Sequence, residues 1–201
     1  PEIQPDLAAA LRERIRGDVS FDLTTRGIHA TDASHYQVMP ACVVWPVDRD
    51  DATAAIKLAA AHGLSVTPRG GATSLSGQTT WRGMVLDCSR YMDQIIEVNA
   101  REQWARVQPG VIRDQLNTAV KDEKLHFAPD PATTDRCTIA GMIGNNSSGT
   151  HSIVHGKTID HVIEVTVALA DGTVLTFGPC DARTWRQKAE EAGRSGQIYR
   201  G

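Results

Sequence analysis

Apolar residues recur at helical spacing at Leu7, Leu11 and Ile15, predicting a helix over residues 5–16 that stops at Gly17. Residues 18–40 are rich in Thr, Asp, Ser and His and read as a loop-like arm. Ala41-Cys-Val-Val-Trp45 is a short apolar run that suits a buried strand. Asp48 or Asp50 then caps a helix whose stripe is Ala52, Ala55, Ile56, Ala59 and Ala60, with Gly63 past its end. Residues 65–67 form a strand that runs directly into a glycine-rich segment, and two more strands follow at 84–87 and 94–98. This β-α-β-loop-β order predicts a first lobe with its glycine loop at a strand end, where open α/β sheets place ligands.

A second lobe begins near Gln103 with a strand at 104–107 and a turn at Pro109-Gly110. Val111, Ile112, Gln115, Leu116, Ala119 and Val120 give one apolar helical face. Residues 128–157 have poor periodicity and are dense in Gly, Asn, Ser, Thr and Pro. A loop this long inside a domain is usually functional. Residues 161–169 alternate as a strand, Ala170-Asp-Gly172 is a hairpin turn, and 173–177 completes the pair. The tail from Asp181 to Gly193 is polar with helical spacing.

Composition narrows the function classes. The net charge of −3 gives no basic field for nucleic acid or an anionic membrane. No apolar run approaches the roughly 18 residues of a membrane span. Cys42, Cys88, Cys137 and Cys180 are scattered without metal-ligand spacing, which fits reduced thiols in a cytoplasmic protein. The chain begins at Pro1 and reads as part of something longer.

The segment Thr67-Pro-Arg-Gly-Gly-Ala-Thr-Ser-Leu-Ser-Gly77 reads as a phosphate cradle. Adjacent glycines permit positive φ and turn several N–H groups toward one point, and Arg69 offers a charged fork. No Lys-Ser/Thr pair follows, so this is not a P-loop; no helix opens after it, so it is not a Rossmann fingerprint. A Gly/Ser surface turn is the plain alternative. The second informative stretch is Pro129-Asp-Pro-Ala-Thr-Thr134, then Thr138-Ile-Ala-Gly-Met-Ile-Gly-Asn-Asn-Ser-Ser-Gly149. Its backbone can approach a flat polar ligand and donate to ring nitrogens and oxygens. One loop holding a diphosphate and the other a distant ring would serve a single long cofactor.

Taken with His155-Gly156 and Asp160-His-Val-Ile-Glu-Val-Thr-Val-Ala-Leu-Ala-Asp-Gly172, these motifs resemble the FAD-binding domain of the vanillyl-alcohol oxidase / p-cresol methylhydroxylase (PCMH-type) flavoproteins. The branch most resembled is the FAD-linked 2-hydroxy-acid dehydrogenases (D-lactate, glycolate, D-2-hydroxyglutarate). The arm Thr31-Asp-Ala-Ser-His-Tyr36 followed by Pro40 shares that likeness. The resemblance implies an α+β fold of two α/β lobes with FAD between them. It divides the chain into a helix and arm (1–37), a first lobe with the diphosphate loop (38–100), a second lobe (101–180), and the start of a linker or following region (181–201).

Carried over by position, it implies that Pro68, Arg69, Gly70, Gly71, Ala72, Thr73, Ser74 and Leu75 wrap the diphosphate. Pro129, Asp130, Thr133 and Thr134 line the flavin side. Thr138, Gly141, Asn145, Asn146, Ser147, Ser148 and Gly149 bond the ring and ribityl-phosphate chain, and Gly156 and Ile163 meet the cofactor from the last strand. Members that attach FAD through histidine carry it where this chain has Ala72, so FAD is expected to be held non-covalently, with Cys137 an ordinary buried thiol. His151, His155 and His161 suggest a metal pocket only weakly, because no carboxylate or cysteine supports them, and no metal is expected. The family's substrate cap and base normally follow the region present here. The chain is therefore expected to be the FAD-binding part of a 2-hydroxy-acid dehydrogenase, inactive alone, with no base named within it. A non-catalytic FAD-binding electron-relay module is the alternative.

Overall fold

A computed structural model describes residues 5–201; the first four residues of the 1–37 segment lie outside the described residues. The elements are α1 (Pro5–Arg14), β1 (Asp18–Ser20), α2 (Leu23–Ile28), β2 (Cys42–Trp45), α3 (Arg49–Ala61), β3 (Val66–Arg69), β4 (Met84–Asp87), β5 (Ile95–Asn99) and β6 (Trp104–Val107). They continue with α4 (Arg113–Val120), α5 (Ile139–Asn145), α6 (Ser152–His155), β7 (Val165–Ala168), β8 (Val174–Phe177), α7 (Ala182–Glu190) and α8 (Gly193–Arg200).

The first sheet runs β1-β2-β4-β3, with β2, β4 and β3 parallel and β1 antiparallel at the edge. All residues of β2 and β4 are buried, as expected of central parallel strands without in/out alternation. Leu7, Leu11 and Ile15 pack with the alanine-rich face of α3 and with Val44, Met84 and Leu86. Asp48 caps α3, accepting from the N–H groups of Asp50 and Asp51 at 3.0 Å. Asp51, 2 % exposed, holds the turn after α1: its carboxylate accepts from the N–H groups of Arg16 (3.2 Å), Gly17 (2.9 Å) and Val47 (3.2 Å). Gly17 is not a left-handed helix terminator. A Cβ there would lie 1.9 Å from the Trp45 carbonyl oxygen, so the glycine answers to a close backbone approach.

The second lobe is built on two antiparallel hairpins, β5–β6 and β7–β8. Its core joins Val111, Leu116, Val120, Cys137, Ile139 and Met142. Ile95–Asn99 pairs with β6 and not with the first sheet. The tail is docked too, since Tyr199 packs on Phe177 of β8 (5.9 Å between rings) and on Trp185 (5.0 Å).

Two segments read as loops contain regular structure. Within the arm, β1 pairs with β2, and α2 is capped by Asp22, whose carboxylate accepts from Thr25 N at 2.8 Å. Leu23 and Ile28 of α2 are 70 % and 64 % exposed, so this helix has no apolar stripe for periodicity to detect. Within 128–157, α5 starts at the Thr138 cap and ends at left-handed Asn146 (φ 45°). Gly141 and Gly144 inside it weaken the helical signal.

Candidate functional site

β3 delivers the cradle. Parallel pairing with β4 aligns Arg69 with Asp87, and Cys88 N–H donates to Arg69 O at 3.1 Å, so the strand is held to its last residue. Beyond it the main-chain N–H groups of Gly71, Ala72, Thr73, Ser74 and Leu75 donate to no acceptor among the described residues. Unpaired backbone donors are costly unless water or a ligand accepts from them, and consecutive ones form a nest for an anion.

Side chains of the cradle are largely engaged with the protein. Ser74 is buried; its hydroxyl bonds the Gln78 side chain and accepts from Ser76 N at 3.2 Å. Arg69 Nη1 donates to the carbonyls of Thr31 (2.9 Å) and His29 (3.3 Å). Burial pulls its guanidinium below the usual arginine value, against the electrostatic support of Asp87 and Asp32. Its head therefore braces the arm. Leu75 projects at 79 % exposure.

The glycines serve a different end from the one expected. Neither Gly70 nor Gly71 has positive φ; the positive-φ residues of the cradle are Ala72, at φ 51°, and Gly77, at φ 74°. A Cβ on Gly70 would lie 2.2 Å from Thr138 Oγ1, and one on Gly71 2.2 Å from the Arg136 carbonyl oxygen. Missing side chains let the two loops meet, merging cradle and second-lobe turn into one surface.

That turn is held from α4 by residues that motif reading passed over. Arg113 Nε donates to Pro129 O at 3.1 Å, and its N–H donates to Cys137 O at 3.0 Å. Thr134 donates its hydroxyl to Asp114 Oδ2 at 3.0 Å, while Asn117 brackets Phe127 through both its amide atoms. Arg113, Asp114 and Asn117 fall outside the apolar face of a short helix, as ordinary surface residues also do, so the sequence does not single them out. Arg136 N and Cys137 N both donate to Thr133 O, and Thr138 Oγ1 accepts from Gly141 N at 3.3 Å. Burial pushes the Cys137 thiol up, away from the reactive thiolate.

Asp130 joins this turn to the next segment. It accepts from Thr150 Oγ1 (3.2 Å), His151 N (3.3 Å) and His151 Nδ1, and the histidine bond holds its carboxyl below the usual range. A Cβ on Gly149 would lie 2.1 Å from Asp130 O. Asn146 Oδ1 accepts from Ile159 N at 3.0 Å, and Ser147 O accepts from the Thr158 hydroxyl at 2.7 Å, strapping residues 146–147 to 158–159. Gly141, Asn145, Asn146 and Ser148 are exposed on this face. Gly156 (φ 80°) packs on Asp160, beside the strap, and Ile163 lies exposed just before β7.

A nest of free N–H donors on a sheet edge, continuous with a glycine- and asparagine-rich surface of a second lobe, fits a long ligand with an anionic middle and a polar ring. The chain is similar to known proteins. Residues 40–178 match the family model described as FAD binding domain. The chain is 42 % identical over 200 residues to D-2-hydroxyglutarate dehydrogenase of Pseudomonas putida, covering 98 % of this chain and 20 % of that protein. It is 35 % identical over 170 residues to glycolate oxidase subunit GlcD of Bacillus subtilis, covering 82 % and 36 %. Among solved structures, alkyldihydroxyacetonephosphate synthase superposes with a TM-score of 0.79 at 21 % identity, covering 88 % of this chain and 35 % of that one, a likeness of fold. No helix among the described residues is long and apolar enough to cross a membrane. The chain thus spans about a fifth of the length of the Pseudomonas putida dehydrogenase, and it belongs to the FAD binding domain family.

Proposed function

We propose that the chain holds FAD non-covalently for a longer cytoplasmic enzyme that oxidises a 2-hydroxy acid, with D-2-hydroxyglutarate the first substrate to test. The run of unpaired N–H groups from Gly71 to Leu75 carries the reading. It supplies consecutive main-chain donors that no protein acceptor occupies, which is what a dinucleotide diphosphate requires. The names of the relatives supply the substrate class.

In this reading Pro68 to Leu75 enclose the diphosphate. Pro129, Asp130, Thr133 and Thr134, with Thr138, Gly141 and residues 145–149, face the ring and its chain, with Gly156 and Ile163 at the far end. FAD, when bound, supplies the acceptor for a hydride from the carbon bearing the substrate hydroxyl. The protein's own contribution is orientation. Arg113, Asp114 and Asn117 hold the turn, Asp130 locks it to residues 149–151, and Gly70 and Gly71 seat it against the cradle. Ala72 offers no nucleophile for attachment, and Cys137 is buried with a raised pKa, which supports a non-covalent cofactor. Free cysteines support a reducing compartment. The acid-binding groups and the base are assigned to the longer protein beyond these residues.

Purified chain mixed with FAD and passed through a desalting column should retain a flavin spectrum, and acid precipitation should leave the colour in the supernatant. The longer protein should then bleach on adding D-2-hydroxyglutarate, faster than with D-lactate or glycolate. A chain that emerges colourless, at FAD concentrations well above micromolar, refutes the reading.

A further inference from the structure

The arm that precedes the matched region shares a cavity with the cradle. The cavity, about 320 Å³, opens between Thr31, Asp32 and Ala33 of the arm, Ala72 of the cradle, and Thr133 and Arg136 of the second-lobe turn. The family match begins at residue 40, so these arm residues lie outside it.

Several contacts strap the arm down. Ala33 N–H donates to Ala72 O at 3.1 Å, and Arg69 Nη1 donates to Thr31 O at 2.9 Å. Asp32 Oδ2 accepts from the Thr79 hydroxyl (3.2 Å) and N–H (3.4 Å), and the Tyr36 ring sits where a Cβ on Gly77 would come within 2.6 Å of it. The Ala33 bond has a particular consequence. The carbonyl of Ala72 and the N–H of Thr73 share one trans peptide plane and point in opposite directions. By holding the oxygen, the arm fixes the direction of the Thr73 N–H, in the middle of the unpaired run. It does so at the cradle's left-handed alanine, where an L side chain disfavours the backbone conformation.

We propose that Thr31, Asp32 and Ala33 form a third part of the FAD site, walling the cavity and aiming the Ala72–Thr73 peptide at the cofactor. Ala33 is thus a positioning residue acting through the cradle. The inference rests on the FAD site proposed above.

The test compares Ala33→Pro, which removes the N–H, with Ala33→Gly, which keeps it. FAD affinity is read by flavin fluorescence, and thermal unfolding without FAD checks that both variants fold. Ala33→Pro should bind FAD about tenfold more weakly, the loss expected for one bond that orders an anion site, and Ala33→Gly within about twofold of wild type. Independently of any variant, amide exchange of residues 31–34 in the wild-type chain should slow on adding FAD. Wild type that binds FAD while exchange at 31–34 stays unchanged and Ala33→Pro binds equally well overturns this inference alone. Wild type that binds no FAD overturns it together with the site it rests on.

Discussion

Gly71→Ala is the sharpest perturbation of the site, because it adds one carbon where the two lobes touch. That carbon would stand 2.2 Å from the Arg136 carbonyl oxygen and 2.9 Å from its carbonyl carbon. Ordinary contact requires the cradle or the 133–138 turn to retreat by roughly 1 Å. Overpacking of this kind costs about 1–3 kcal/mol. If the strain is relieved by moving the cradle, its N–H groups leave register, and FAD binding should weaken by about 5- to 150-fold. If the turn gives way instead, part of the loss appears as a lower urea midpoint of the FAD-free chain. Gly144→Ala is the matched control: nothing lies within 4 Å of the added carbon, and it sits inside α5. Helix propensity predicts that it leaves FAD affinity alone and raises stability by about 0.5–1 kcal/mol. Fluorescence titration with FAD and urea denaturation, run on both variants, separate the two routes. Wild-type affinity and an unchanged midpoint in Gly71→Ala would refute the contact that joins the loops.

Three further outcomes follow from the same geometry. Ala72→Gly relieves a left-handed alanine worth about 1–2 kcal/mol and gives back about 0.5–1 kcal/mol in chain entropy, so thermal unfolding should show a net gain of up to about 1.5 kcal/mol and no loss. The Asp87 carboxyl is raised by burial but lowered more by bonds from His29 (3.2 Å) and Ser89 (2.6 Å), leaving it below the usual range. Its stabilisation is complete above the unfolded value of about 3.9 and fades as pH falls through the lower folded value, so Asp87→Asn should flatten the acid limb of a stability–pH curve. Burial pushes the Cys42 and Cys88 thiols up to about 12 and raises Cys137, while Cys180 is exposed. An aromatic disulfide reagent at pH 7 should therefore react quickly with one thiol in the native chain and with the other three only after unfolding.

Periodicity and turn chemistry by themselves determined much of this protein. The stripe Leu7, Leu11, Ile15 and the alanines of α3 face one core; the unbroken runs 42–45 and 84–87 are central strands; the glycine loop leaves the end of β3. Each of these is a local pattern whose physical reason, one buried face or one cap, lies within a few residues of itself. What the tertiary structure decided depends on which distant surfaces meet. α2 carries no apolar stripe and is held by its Asp22 cap and by Arg26 Nε donating to Pro40 O at 2.7 Å. Residues 95–99 are strand by pattern, yet only the position of 104–107 settles their partner. Gly70 and Gly71 announce a special backbone, but they are glycine because carbonyl and hydroxyl oxygens from residues 136 and 138 occupy the space a side chain would need. A sequence records that a side chain is missing; only the folded chain shows what stands in its place.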